Sequence, residues 1–285
     1  MAGGDDASAW NGFERALRVE RVGETAFEGR CWPGRGDRIF GGHVAAHAVV
    51  AAATQSGRDL VPLSVHVHFL RAGDANARVR YEVVRLHSGR TFEHWRVDAL
   101  QGEALIATNV VVLHLVEGGP RHALADPDPE SPEPLPQITD QPREGTSGQI
   151  RVGFDMRRGR HWTPADGDRV PYQRLWLRCL EPLPDDPVLR AAVLVWSSDL
   201  ELVWAADQPY LGRIRKRQAA SLDHVVHLHH AIDPGQWWLY VQESPSVEQG
   251  RAFVQGRVFV SGLLAASVSQ EALLRLELDE DPLHQ

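Results

Sequence analysis

The chain repeats itself, and this limits its possible folds more than any other feature. With an offset of about 160 residues, HFLRAGDANARVRYEVV (68–84) falls on LHHAIDPGQWWLYVQES (228–244), each an apolar-ended strand, a polar turn and a second strand. The match continues with Gly89-Arg90-Thr91-Phe92 on Gly250-Arg251-Ala252-Phe253, and with ALQGEALIATNVV (99–111) on FVSGLLAASVSQE (259–271), allowing small shifts at turns. Duplication of one supersecondary plan is the economical explanation.

Between the copies the texture changes. Residues 117–148, EGGPRHALADPDPESPEPLPQITDQPREGTSG, are dense in Pro, Asp, Glu and Gly and read as an exposed linker. They divide the chain into residues 1–116 and 149–285, each near the usual size of one domain.

A helix precedes the strands in each part. GGHVAAHAVVAAATQSG (41–57) is small and apolar nearly all round, as an enclosed helix must be. DDPVLRAAVLVWSSDLELVWAA (185–206) opens with acids and a proline suited to a helix N-terminus. In the first part, β-rich segments at 61–70, 78–87, 91–100 and 104–114, joined by short polar turns, predict antiparallel meanders. A long buried helix cradled by a curled antiparallel sheet is the hot-dog arrangement, so the fold expected is α+β, with two hot-dog units in tandem packed as a pseudo-dimer.

Composition excludes several classes. A formal charge of -8 and a pI near 5.9 argue against a nucleic-acid surface, which needs a clustered positive field. No stretch approaches eighteen uninterrupted apolar residues, and the first twenty residues hold no signal-peptide core, so no membrane span and a cytoplasmic location are expected. Cys31 and Cys179, about half the chain apart, fit packed thiols in a reducing compartment.

A few side chains stand out. Helical spacing puts Asp199 on the apolar stripe Ala192, Val195, Asp199, Leu202, and an interior carboxylate must be hydrogen-bonded or functional. Glu201, roughly 200° away by the 3.6-residue period, is then the bland surface acid. Strand alternation places Gln270 with Leu264, Ala266, Val268 and Ala272, its amide directed into an apolar face. Gln270 aligns near Val110, so one half supplies a polar group that the other lacks. Ser221 reads from spacing as a turn or strand-start hydroxyl, with Asp223 an alternative acid nearby.

The chain also resembles the acyl-CoA thioesterase II family, double hot-dog proteins of about this length. The similarity is carried along nearly the whole chain by Ile39-Phe40-Gly41-Gly42, His68-Phe69-Leu70-Arg71-Ala72-Gly73-Asp74, Ser88-Gly89-Arg90-Thr91-Phe92, Glu181-Pro182-Leu183-Pro184-Asp185-Asp186, Ser198-Asp199 and Ala220-Ser221-Leu222-Asp223-His224. The resemblance implies catalysis by Asp199, Ser221 and Gln270, which together hold a water for attack on a fatty acyl-CoA thioester, with no cofactor and no metal. Ser221 stands where the family commonly has Thr, and His43 where it commonly has Gln at the opening of the first helix. A homo-oligomer, dimer or larger, is a further family-level expectation.

The chemistry suits these groups. A thiolate leaves readily, so the main task is to orient and partly deprotonate water, with Asp199 the candidate base and Ser221 and Gln270 fixing the water. Gly41 and Gly42 let a ligand approach a helix N-terminus, whose amides stabilise an oxyanion, although the sequence leaves open which helix supplies them. Arg213, Arg215, Lys216 and Arg217 form the densest basic run and are candidates for CoA phosphates, with Arg157, Arg158 and Arg160 a second cluster. His43 keeps open an alternative, a hot-dog enoyl-thioester hydratase or dehydratase, and a non-catalytic acyl-CoA binder is a third reading. Two His-x-His pairs, His66/His68 and His227/His229, share strand faces, but no third ligand at suitable spacing is evident. No G-x-S-x-G elbow or dinucleotide fingerprint occurs.

Overall fold

A computed structural model describes residues 12–33, 37–138, 153–160 and 170–279. The first part of the chain forms α1 (Phe13–Leu17), β1 (Glu20–Arg21), β2 (Ala26–Gly29), α2 (Gly41–Ser56), β3 (Val61–Phe69), β4 (Val79–Ser88), β5 (Phe92–Gln101) and β6 (Ala104–His114). The second forms β7 (Phe154–Arg158), β8 (Tyr172–Cys179), α3 (Pro187–Ser197), α4 (Trp204–Asp207), β9 (Ile214–Ser221), β10 (Asp223–Leu228), β11 (Trp238–Glu248), β12 (Arg251–Val260) and β13 (Leu263–Leu278).

All described strands join one antiparallel sheet in the order β1-β2-β4-β5-β6-β3-β10-β13-β12-β11-β8-β7, with β9 alongside β13. Outward from the β3–β10 seam the order is β6, β5, β4, β2, β1 on one side and β13, β12, β11, β8, β7 on the other, so β3 to β6 and β10 to β13, about 160 residues apart, hold mirror positions. Matching bulges, Ala99/Leu100 against β6 and Val258/Phe259 against β13, set Gln270 over Val111. That is one residue from the sequence overlay, and Val111 is fully buried and apolar.

The halves differ in one excursion. In the first, α2 reaches β3 through residues 57–60, with Gly57 closing the helix in the left-handed conformation at φ 62°. In the second, residues 198–222 intervene between α3 and β10 and contain α4 and β9. Asp199 and Ser221 lie at the two ends of this excursion.

The second helix is shorter than its apolar pattern predicts. It starts where expected, with Pro187 in the first turn and the Asp186 carboxylate accepting from the Val188 and Leu189 amides. It stops at Ser197 because the Ser197 and Ser198 hydroxyls turn back on the Leu194 and Val195 carbonyls, and Glu201 takes a positive φ of 58°. The carbonyls of this buried turn still need donors. Tyr240 Oη supplies one to Ser198 at 2.6 Å, Gln242 Nε2 one to Leu200 at 2.8 Å, and Gln173 Nε2 one to Glu201 at 2.8 Å. Asp199 therefore sits on a braced turn rather than on a helical stripe. Glu201 is not a surface acid either, since its carboxylate meets Arg158 at 3.3 Å with 8% of the side chain exposed.

The two helices touch, and the contact locks the halves together. Trp196 on α3 is fully buried, its ring centroid 4.8 Å from Phe13, 5.6 Å from Trp32, 4.9 Å from Phe40 and 5.5 Å from a stacked Phe154. Gly42 on α2 lies against the same turn, where a Cβ would run into the Trp196 carbonyl oxygen. The described linker residues, 117–138, are largely exposed but anchored, because Asp126 and Glu130 pair at 2.9 and 3.0 Å with a buried Arg174 on β8. The remainder of that segment, 139–148, lies outside the described residues, as do residues 1–11. No helix among the described residues is long and apolar enough to cross a membrane.

Candidate active site

The excursion folds back so that its two ends meet α2. β13 is long enough to pair with β10 through Ala266–Ser269 and with β9 through Ala272–Leu278, and the chain kinks between them at Leu222. Leu222 is tied on both sides, its amide donating to the Glu271 carbonyl and its carbonyl accepting from Phe69. The kink opens a cavity of about 690 Å³. Its apolar wall includes Phe40, Val44, Phe69 and Ile106, its polar groups include Asp199 and Ser221, and Arg38, Arg71 and Arg217 also line it. A second depression of about 730 Å³ lies over Tyr172, Arg174 and Pro245, but its buried cation is already committed to Asp126 and Glu130.

Asp199 enters the cavity with one oxygen engaged. Oδ2 accepts the Gly42 amide at 2.9 Å, and Oδ1 has no protein donor among the described residues. Burial pushes the carboxyl up from 3.8 to about 7, and the Gly42 amide opposes the shift only in part. The expected interior acid is thus a cap on the start of α2, with its carboxyl held near neutrality by burial.

Ser221 and Gln270 are joined directly. Gln270, fully buried on β13, donates from Nε2 to Ser221 Oγ at 2.7 Å. Its Oε1 faces His224 Nδ1, also at 2.7 Å, and His224 Nε2 lies 2.7 Å from Ser198 Oγ. Burial drives the His224 pKa down to about 4, so the ring is neutral, with one donor and one acceptor. With the amide NH₂ toward Ser221, His224 Nδ1 donates to Gln270 Oε1, and Nε2 shares the Ser198 hydroxyl proton with the Val195 carbonyl. The Ser221 hydroxyl proton is then left for a ligand. Sequence reasoning missed His224 as a participant, because alternation alone makes it one more core residue of β10.

The other expected residues divide. Gly41 lines the cavity, and a Cβ there would sit 2.9 Å from the Phe69 ring and 3.0 Å from Asp199 Oδ2. His43 does not line it. Fully buried, it accepts the Trp32 amide at Nδ1 and donates from Nε2 to the Ala16 carbonyl, with burial and His47 holding its pKa well below the usual value. It is a satisfied core histidine tying α1 to α2. Arg217 lines the cavity while paired at 2.8 Å with a buried Asp207. Arg213 donates to the Asp279 carbonyl, Arg215 pairs with Asp279 and Lys216 with Glu277, all outside the cavity. Arg157, Arg158 and Arg160 are each engaged by acids, Asp155, Glu201 and Glu130. Missed by the sequence reading, Arg38 and Arg71 reach the cavity without a carboxylate partner among the described residues. Both cysteines are buried, their thiols pushed up to about 12 and about 11, and so unreactive.

Comparison with known proteins joins this geometry to a chemistry. Residues 30–115 match the family described as acyl-CoA thioesterase N-terminal domain, and residues 150–273 match the family described as acyl-CoA thioesterase. The crystal structure of an acyl-CoA thioesterase II from Mycobacterium marinum superposes with a TM-score of 0.80 at 32% identity, covering 92% of this chain and 97% of that one. The chain belongs to the acyl-CoA thioesterase II family. Among curated relatives, acyl-CoA thioesterase 2 of Haemophilus influenzae is 27% identical over 93% of this chain and 97% of its own length. A hot-dog-fold protein from Alicyclobacillus acidocaldarius, 19% identical, shares the fold with a TM-score of 0.73 over 91% of this chain and 96% of its own. Membership makes this acyl-CoA thioesterase a thioester hydrolase, which decides against the hydratase and the non-catalytic binder.

Proposed function

We propose that this thioesterase hydrolyses fatty acyl-CoA to fatty acid and CoA by direct attack of a water held among Asp199, Ser221 and Gln270. The observation that carries the reading is that Asp199 and Ser221 line one cavity, and Gln270 is hydrogen-bonded to Ser221. Asp199 Oδ1 takes a proton from the water as it attacks the carbonyl carbon, and the Ser221 hydroxyl, oriented by Gln270, fixes the water's position. His224 acts through Gln270 as a positioning residue. The start of α2, which has no side-chain cap of its own, offers the Gly41 amide to the developing oxyanion. CoA leaves as the thiolate, and its phosphates are met by Arg38, Arg71 and Arg217.

In this reading the fold is two hot-dog units in tandem, residues 1–116 and 149–285 joined by 117–148. The second supplies the catalytic groups from its 198–222 excursion and β13, and the first supplies α2 and much of the apolar wall. A homo-oligomer and a cytoplasmic location accompany the reading. Direct water attack is separated from a Ser221 acyl-enzyme by intact-mass measurement of the protein, quenched during turnover of a long-chain acyl-CoA. An unmodified mass supports direct attack, and an adduct of acyl mass on Ser221 overturns it.

A further inference from the structure

The outer face of the β3–β10 seam carries a cluster that the hydrolysis does not use. Alternation turns Val65 and Val67 inward, both fully buried, so His66 and His68 stand on the opposite face. On β10 the same rule buries His224 and sets Asp223 outside. Register then puts Asp223 directly across from His68. One ligand atom from each of His66, His68 and Asp223 falls within 4.8 Å of the others. The third ligand that no sequence spacing displays comes from the neighbouring strand.

Two details mark the cluster as more than a polar patch. The Glu271 amide donates to Asp223 Oδ1 at 2.7 Å, which orients the carboxylate with Oδ2 4.0 Å from His66 Nε2. That separation is too long for a hydrogen bond. His66 Nε2 is shielded from solvent and has no hydrogen-bond partner among the described residues, an unfavourable state for a ring nitrogen unless something else takes its lone pair.

The pseudo-symmetry of the seam supplies an internal contrast. β3 and β10 pair about Val65 opposite Val226, so His227 and His229 mirror His66 and His68. The mirror of Asp223 is then Pro62, which has no ligand atom, and His229 Nε2 is bonded to Ser267 Oγ at 2.9 Å. Of the two His-x-His pairs, one has a carboxylate across from it.

We propose that His66, His68 and Asp223 bind a divalent first-row transition ion, zinc foremost, as three protein ligands with water completing the shell. Two imidazoles and one carboxylate favour zinc, nickel or copper over magnesium or calcium, which prefer all-oxygen sites. Bonds of about 2.0–2.2 Å draw the three atoms inward, which these surface-facing side chains achieve by rotation without moving the strands. Because β3 belongs to the first half and β10 to the second, the ion clips the halves together across their junction.

The test uses the full chain without a polyhistidine tag, stripped with a chelator and titrated with zinc chloride by calorimetry. One ion per chain at micromolar affinity is expected, weakened at least tenfold in His68→Ala and in Asp223→Asn. Zinc also raises the melting temperature of the wild type and not of His68→Ala. Should Asp223→Asn fail to fold, the exposed His68→Ala alone carries the comparison. Equal affinity in the wild type and in His66→Ala/His68→Ala, or no saturable zinc binding by the wild type, overturns the assignment.

Discussion

Asp199 Oδ2 accepts the amide proton of Gly42 at 2.9 Å, so the carboxylate that faces the cavity also caps the helix opposite it. One contact thereby joins the stability of the α2–α3 crossing to the placement of the proposed base. Gly42 has no room for a side chain, because a Cβ would meet the Trp196 carbonyl and stand 3.1 Å from Asp199 Cβ. Gly42→Ala is expected to destabilise the fold by about 1–3 kcal/mol and to lower kcat more than KM changes. Thermal melts alongside thiol-release kinetics check both.

The raised Asp199 pKa sets the sign of two pH effects. The base works ionised, so kcat is expected to rise about tenfold per pH unit below about 7 and to level above it. Stability moves the other way. The folded chain holds this proton up to about 7 while the unfolded chain releases it near 3.8, so stability is lost as pH rises through that window. Asp199→Asn removes this loss, and its melting temperature is expected to exceed the wild-type value at pH 8 and to approach it at pH 4. Parallel melting curves for the two proteins across that range contradict the assignment.

Ser221 and His224 test the two ends of the hydrogen-bonded chain. Ser221→Thr keeps the hydroxyl and is expected to retain activity, whereas Ser221→Ala loses about 10–100-fold in kcat. His224→Ala frees the Gln270 carbonyl to reorient and is expected to reduce kcat about tenfold with little change in KM. A change confined to melting temperature would make His224 purely structural.

Arg38 and Arg71 distinguish CoA recognition from chemistry. Replacing both with Ala is expected to raise KM for acyl-CoA about tenfold or more while leaving hydrolysis of an acyl-pantetheine thioester, which lacks the phosphates, near the wild-type rate. Equal losses on both substrates place the pair elsewhere in the mechanism.

What the sequence discloses is local. Alternation and turn residues place β3 to β6 within about a residue of where they lie, and the all-round apolar Ala-rich run marks α2. Gln270 is visible for the same reason, as a polar break in an alternating strand. What escapes is set by partners distant in the chain. The end of α3 depends on donors from Tyr240, Gln242 and Gln173, so the helical stripe runs on through Asp199 in sequence and stops before it in space. His43 is a core tie because α1 presents the Ala16 carbonyl to it. The basic run at 213–217 is mostly paired with acids at 207, 277 and 279, while isolated Arg38 and Arg71 reach the cavity by the folding of their loops.

The most direct test follows CoA thiol release from a long-chain acyl-CoA by Asp199→Asn. The amide oxygen can still accept the Gly42 proton, so the fold is expected to persist and its melting temperature to hold or rise. kcat is expected to fall by about 10²–10⁴, the usual worth of a general base. Hydrolysis within about twofold of the wild type, by a protein that melts normally, contradicts the account.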